Sequence, residues 1–337
     1  MAQIAGSRVV PVHAYRKGLL VGAGLLAFAA AIGLADPGRS PQGANFSVVF
    51  ASLLVEAVPF VLLGASVSAL IEVVVPGSVM ARVSALPPSL QLPASAVAGL
   101  AFPVCECGSV PVARRLIAKG LAPSAAITFM LAAPVLNPIV IASTVVAYAG
   151  RASFWPIVAG RVLLALGAAI AVGWVVGRKP DADLLRSIER REAGGDETHR
   201  QEDRGRVTAF FEHLASDFLF MGRYLVLGAA IAASLQTFVP QAVLTSFAGL
   251  PVLDLVGMMA LAFVLSLCSE SDAFVAASFV QFGVGAQLAF LVFGPMVDTK
   301  LSVLYGGAFN RRLSRTIAIA VAAVVLAGTL WVEILFG

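Results

Sequence analysis

The chain holds three cysteines, and they fall at two places. Cys105 and Cys107 flank Glu106 in a segment punctuated by Pro103, Gly108 and Pro111, while Cys268 shortly precedes Glu270 and Asp272. Thiolates are soft donors that favour Cu(I), Zn(II) and similar thiophilic species, and trivalent arsenic belongs with these chemically. Three cysteines, two of them only two positions apart, make no disulfide framework. Structural zinc would ask for four ligands in separated pairs, a pattern absent here. A cysteine nucleophile would want a histidine, yet His13 is terminal, His199 lies in a charged stretch and His213 near the end of an apolar run. Oxidised Cys-x-Cys closes only a strained small ring, unlike the longer Cys-x-x-Cys spacing, and no quinone, haem or nucleotide motif accompanies it. No cofactor is expected. Reversible binding of a small soft species by thiols and nearby carboxylates is the chemistry these residues suit, with Cys105, Cys107 and Cys268 as candidate metal or metalloid ligands.

The elements that carry them are apolar. Of 337 residues, 59% are hydrophobic and only 12% charged, and the mean hydropathy is +0.92. Soluble domains run near 45–50% apolar and about 25% charged. That excess excludes an ordinary soluble enzyme, a nucleic-acid-binding domain and a disordered chain, and it leaves a polytopic membrane protein. Apolar stretches lie at 18–35, 46–75, 92–118, 123–149, 155–177, 209–239, 252–282, 286–309 and 316–336. The first follows Arg8, Arg16 and Lys17 and has no convincing cleavage site, so it reads as an uncleaved span. Between Arg178 and Arg206 stand eight Lys/Arg and eight Asp/Glu with no crossing segment, so this reads as a solvated linker with a short helix around 183–192.

The two sides of the linker resemble each other. Phe60-Val-Leu-Leu-Gly-Ala-Ser and then Val75-Pro76 reads against Tyr224-Leu-Val-Leu-Gly-Ala-Ala and then Val239-Pro240. Cys105-Glu-Cys-Gly-Ser reads against Cys268-Ser-Glu-Ser-Asp, and each is followed, fifteen residues after its first Cys, by Gly120 or Gly283. Pro134-Val-Leu-Asn137 reads against Pro295-Met-Val-Asp298. Such internal repeats are common in transporters. Loop charge sets their relation. If all nine stretches cross, only Arg39, Arg114, Arg115 and Lys119 share the linker's side. If 92–118 and 252–282 dip in and return, Arg8, Arg16, Lys17, Arg82, Arg114, Arg115, Lys119, Arg311, Arg312 and Arg315 all fall with the linker, and only Arg39 and Arg151 oppose it. The positive-inside rule favours the second arrangement and makes that side cytoplasmic. The expectation is therefore an all-α polytopic membrane protein of two inverted repeats, with seven full spans and two re-entrant or broken hairpins. Residues 1–44 form an N-terminal span and loop, 45–177 the first repeat, 178–206 a cytoplasmic linker and 207–337 the second repeat, in the inner (cytoplasmic) membrane.

The hairpin tips would be Cys105–Ser109 and Cys268–Asp272, because Pro103, Gly108 and Pro111 interrupt the helical ladder and the second tip is too polar for lipid. A helix kinked rather than reversed is the alternative and leaves the chemistry intact. A carboxylate at mid-membrane costs about 2.5–3.5 kcal/mol on insertion scales, so it needs a partner, a proton or water. Cys105, Glu106, Cys107, Cys268, Glu270 and Asp272 are the first candidates for binding substrate. Asn137 and Asp298, with Pro134, Pro295 and Lys300, form a second tier that would line the cavity or serve a coupling proton. For Lys300, neutralising Asp298 across a helix turn is an equal alternative to a direct substrate role. Glu56, Glu72 and Arg223 are expected to snorkel or pair helices, Arg161 to snorkel at its span's outer end, and Gly64 and Gly228 to mark close helix packing.

Pro103-Val-Cys-Glu-Cys-Gly-Ser-Val-Pro111, with Lys119-Gly120 and Ala133-Pro-Val-Leu-Asn-Pro138 downstream, resembles the predicted-permease family of ArsP and YraQ. Ser266-Leu-Cys-Ser-Glu-Ser-Asp-Ala-Phe-Val-Ala276 is similar to that family's second signature. The resemblance covers about residues 45–310, apart from the linker. It implies efflux of trivalent organoarsenicals such as methylarsenite, with Cys105, Cys107 and Cys268 as thiol ligands and Glu270 opposite Cys107. The competing readings are transport of a divalent metal or a sulfur-containing solute, a membrane thiol-redox enzyme, and a purely structural subunit. The expected partners are the bilayer, a small thiophilic substrate and protons, with no nucleic acid.

Overall fold

A computed structural model describes residues 41–101, 104–178, 206–238 and 251–336. The expected first span, the linker with its short helix, Pro103 and Val239-Pro240 lie outside the described residues. Thirteen described helices follow in order: α1 Pro41–Val74, α2 Gly77–Ser84, α3 Pro88–Ala101, α4 Glu106–Ala118, α5 Pro123–Leu136, α6 Pro138–Tyr148, α7 Phe154–Gly177, α8 Arg206–Phe238, α9 Pro251–Leu265, α10 Asp272–Ser278, α11 Val284–Met296, α12 Thr299–Ala308 and α13 Arg311–Phe336. Among the described residues there is no strand.

Six helical stretches are long and apolar enough to cross a membrane: Gln42–Val74, Pro123–Tyr148, Phe154–Gly177, Val207–Phe238, Val284–Ala308 and Arg311–Leu335. They coincide with the six full crossings expected of residues 46–336. Two of them form the centre, for α5–α6 and α11–α12 have 78% and 89% of their most apolar windows buried. The other four have 17%, 39%, 33% and 22% buried, and their outer faces show Val55, Leu163, Leu219 and Ile319 to the surroundings. The two central crossings are also the two that are broken. Backbone left unpaired at membrane depth survives only inside protein, so the broken spans occupy the middle. Exposed Trp155 and Trp331 near span ends suit the aromatic belt, as does Trp174 with Arg178 stacked 3.4 Å over its ring.

Contacts fix the direction of each element. Along α1 and α4, Gly64 lies on Gly108, Ser68 Oγ reaches the Pro111 carbonyl, Glu72 pairs with Arg115, and Lys119 Nζ donates to the Val75 carbonyl at 2.7 Å. The two helices are therefore parallel and end at one face. Ser84 Oγ, just before α3, donates to the Gly120 carbonyl (2.8 Å) and accepts from Ala122 N–H (3.0 Å). Both mouths of the α3–α4 segment thus lie at that same face, and the segment is a re-entrant hairpin rather than a kinked crossing. Gly173 and Gly177 near the end of α7 lie against Ser124 at the start of α5, which places them there too.

The second half runs the other way. Gly228 of α8 backs onto Lys300 and Tyr224 onto Gly307, so α12 descends antiparallel to α8 toward the first face. At the opposite face, Tyr148 donates to Gln287 (2.7 Å), Gly285 N–H to Glu333 (2.9 Å), and Arg151 to the Ala277 carbonyl at the far end of α10 (2.6 Å). The second hairpin therefore returns to the face opposite the first. The repeat shows in packing as well. Gly99 lies on Ala133, and the corresponding pair six residues before the second Cys is Ala262 on Gly294. These are the inverted repeats expected from loop charge.

Gly108 and Pro111 require a correction. Both lie inside α4 rather than in the break, which falls before Glu106. Gly108 is there because the α1 backbone rests on it: a Cβ on Gly64 would stand 2.8 Å from the Gly108 carbonyl oxygen.

Candidate substrate site at the paired helix breaks

The two tips share one hydrogen-bond register. The Cys105 carbonyl accepts from Gly108 N–H (3.1 Å) and Ser109 N–H (3.0 Å), which starts α4. The Cys268 carbonyl accepts from Ser271 N–H and Asp272 N–H, both 3.0 Å, which starts α10. Each cysteine thus stands at the head of a short returning helix. No proline reverses the second tip. Ser266 does so in the left-handed region (φ 46°), a conformation that costs on the order of 1–3 kcal/mol. It is held by its own Oγ, which donates to the Phe263 carbonyl (2.9 Å) and accepts from Thr299 N–H (3.2 Å).

The central spans break where the matched Pro-x-x-Asn/Asp elements stand. Pro134 and Pro295 lie in the last turns of α5 and α11. Asn137 then caps α6, its Oδ1 accepting from Ile139 N–H at 2.9 Å. Asp298 caps α12, its Oδ1 accepting from Leu301 N–H at 2.6 Å. A side chain that satisfies an orphan N–H is worth about 1 kcal/mol in water and more where no water can substitute. Four helices (α4, α6, α10 and α12) begin within the protein, and acids sit at the starts of three of them, where the positive end of the helix dipole favours negative charge.

At the meeting of the tips, the ligand atoms of Glu106, Cys268 and Glu270 all lie within 4.8 Å of one another. Ser269 joins the two carboxylates, with its Oγ 3.0 Å from Glu106 Oε2 and 3.5 Å from Glu270 Oε2. Lys300 Nζ lies 3.7 Å from Glu106 Oε1 and 3.8 Å from Asp298 Oδ2, so it does neutralise Asp298 and reaches the first tip as well. Ser271 Oγ lies 3.3 Å from Glu56, a contact that brings α1 to the second tip. All three cysteines are free and buried. Cys105 and Cys107 flank Glu106 but stand outside the group formed by Glu106, Cys268 and Glu270.

Arg161 does not snorkel. It is 1% exposed and pairs with Asp272 at 2.7 Å, with Thr144 Oγ1 at 2.8 Å and the Ser269 carbonyl at 3.4 Å. The guanidinium therefore ties the second tip to α6 and α7. Its fork of donors lets one side chain hold three acceptors in a dry interior.

The family model described as a predicted permease, ArsP_1, matches residues 43–333. The chain belongs to the ArsP_1 family of predicted permeases. It is 39% identical over 291 residues to the UPF0718 protein YcgR of Bacillus subtilis (strain 168), covering 85% of this chain and 96% of that relative. It is 35% identical over 265 residues to a putative two-component membrane permease complex subunit of Streptococcus mutans, covering 78% of this chain and 87% of that relative. No solved structure is a significant match. An ArsP_1 permease is a membrane transporter by family, and the multi-pass helical fold agrees with that.

Within this ArsP_1 permease the structure gathers Glu106, Cys268, Glu270, Asp298 and Lys300, and links Asp272 to them through Arg161 and Ser269. Asn137, Pro134 and Pro295 shape the breaks. Sequence reasoning missed Ser269 and the role of Arg161. A buried arginine in an apolar run was the available signal, since such a charge demands an acid. It also missed Asp217, which takes Arg115 at 3.2 Å and Ser68 Oγ at 2.6 Å where α1, α4 and α8 meet.

Proposed function

We propose that the protein is a secondary efflux permease for a thiophilic species, such as a trivalent organoarsenical of the methylarsenite type. Its site would lie at the paired helix breaks. One observation carries the reading: a soft thiol and two carboxylates, Cys268, Glu106 and Glu270, converge within 4.8 Å where two re-entrant tips meet. Inverted-repeat transporters bind substrate at such discontinuous helices near the midplane. In this reading Cys268 supplies the soft donor, and the neighbouring pair Cys105 and Cys107 supplies the further thiols that a trivalent arsenical takes. Glu106, Glu270 and Asp272 set the charge, while Asn137 and Asp298, with Pro134, Pro295 and Lys300, line and shape the cavity. The linker and N-terminus would lie in the cytoplasm, and the protein in the cytoplasmic membrane.

A second reading, transport of a divalent metal, is favoured by the make-up of that group. One sulfur with two carboxylate oxygens suits a borderline ion such as Zn(II) better than an arsenical that takes two thiolates. Uptake into inside-out vesicles, with a panel of trivalent arsenicals and soft or borderline metals and with and without a proton gradient, separates the two. We expect Cys268→Ser to lower transport by at least about tenfold, because serine keeps the size but replaces a soft donor by a hard one. Normal transport by Cys268→Ser, with the protein still in the membrane, refutes the thiol site.

A further inference from the structure

Two basic side chains, among the described residues, pair with the buried acids around the tips, and they differ in how firmly they are held. Arg161 makes a 2.7 Å ion pair with Asp272 and two further hydrogen bonds. Lys300 makes neither contact at hydrogen-bond length. Its ammonium stands 3.7 Å from Glu106 and 3.8 Å from Asp298, whereas an engaged charged hydrogen bond is about 2.7–2.9 Å. The two oxygens it faces, Glu106 Oε1 and Asp298 Oδ2, are buried and have no hydrogen-bond partner. The other oxygen of each acid is taken: Glu106 Oε2 by Ser269, and Asp298 Oδ1 by Leu301 N–H. The stem starts from a fixed point, because the Lys300 backbone rests on Gly228.

We propose that Lys300 is a built-in counter-cation of the substrate site. Its ammonium is shared between Glu106 and Asp298 when no substrate is bound, and withdraws onto Asp298 alone when a positively charged soft or borderline ion takes Glu106, Cys268 and Glu270. The inference rests on the second reading above, in which that group holds a metal ion, and it adds how the site manages charge: the species bound there is a cation that displaces a resident one. Glu106 Oε1 is the atom both cations need. Two positive charges within a few ångströms in a water-poor interior repel strongly, so they alternate. Asp298, already 3.8 Å from the ammonium, is the acceptor that remains, and a lysine stem of four carbons with three rotatable donors can make the shift, as an arginine fork could less readily. A tethered competitor also keeps binding weak enough for release, which a transport site requires.

The test is zinc(II) binding by the purified full-length protein in detergent, measured by competition with a chromophoric chelator. Wild type is compared with Lys300→Met, Lys300→Arg, Cys268→Ser and the charge-balanced double variant Lys300→Met/Asp298→Asn. Removing the ammonium should tighten zinc binding by at least about tenfold in both Lys300→Met forms, while Lys300→Arg stays near or below wild type. In vesicles, Lys300→Met should lower KM and kcat together, since tighter binding slows release. The double variant keeps the test intact if Lys300→Met alone does not fold, because it leaves no uncompensated acid at Asp298. Wild-type zinc binding that is lost in Cys268→Ser yet unchanged in both Lys300→Met forms overturns the counter-cation and leaves the site standing. Absence of zinc binding in wild type and in every variant overturns both.

Discussion

Removing Arg161 tests whether the second tip is held by one buried ion pair. Its side chain is 1% exposed and that of Asp272 is 3% exposed, at 2.7 Å, so solvent does not dilute the interaction as it does for surface pairs worth about 0–1 kcal/mol. Taking away one partner of a buried pair leaves an uncompensated charge and costs about 3–5 kcal/mol, or about two to nearly four powers of ten in the folded-to-unfolded ratio. Arg161→Met also strips a hydrogen bond from Thr144 Oγ1 and from the Ser269 carbonyl, which places its cost toward the upper end. Arg161→Met/Asp272→Leu removes both charges and should be less damaging than Arg161→Met alone. The assay is reversible unfolding in mixed micelles, read as a double-mutant cycle. Maleimide labelling of Cys268, in a background of Cys105→Ala/Cys107→Ala, reports the tip directly. Cys268 is 3% exposed and should label slowly in that background and rapidly in the Arg161→Met form. A cost for Arg161→Met below about 1 kcal/mol, or single effects that simply add in the double variant, would refute the reasoning.

Gly64→Ala should destabilise the protein by about 1–3 kcal/mol, because its Cβ would stand 2.8 Å from the Gly108 carbonyl oxygen and 3.0 Å from its carbon, atoms of backbone that cannot swing aside. Gly167→Ala on α7, with nothing within 4 Å of its Cβ, should be neutral or stabilising by up to about 1 kcal/mol in the same unfolding measurement. A cysteine placed at Asp196 in the charged linker should react with a membrane-impermeant maleimide only from the cytoplasmic side. Labelling of intact cells from outside would reverse the assigned orientation.

The sequence alone determined the class of the protein, its repeat and the places where its helices break. Apolar runs of about 20 residues leave few alternatives to membrane crossing, and composition cannot hide them. The landmarks Gly64 and Gly228, Cys105 and Cys268, and Asn137 and Asp298 were legible because each is a local demand: a close approach, a helix start, a cap. The loop arginines and lysines even gave the return of the first hairpin, which Ser84 and Gly120 at its mouths now record. Tertiary structure decided who meets whom. Nothing local says that Ser269 will bridge Glu106 and Glu270 across 163 positions of chain, or that Arg161 will answer Asp272 rather than the headgroups. A buried charge announces that it needs a partner, but the partner is chosen by packing between elements far apart in sequence. For the same reason the residue types marked all three thiols, while the fold set Cys268 among the carboxylates and left Cys105 and Cys107 outside that group.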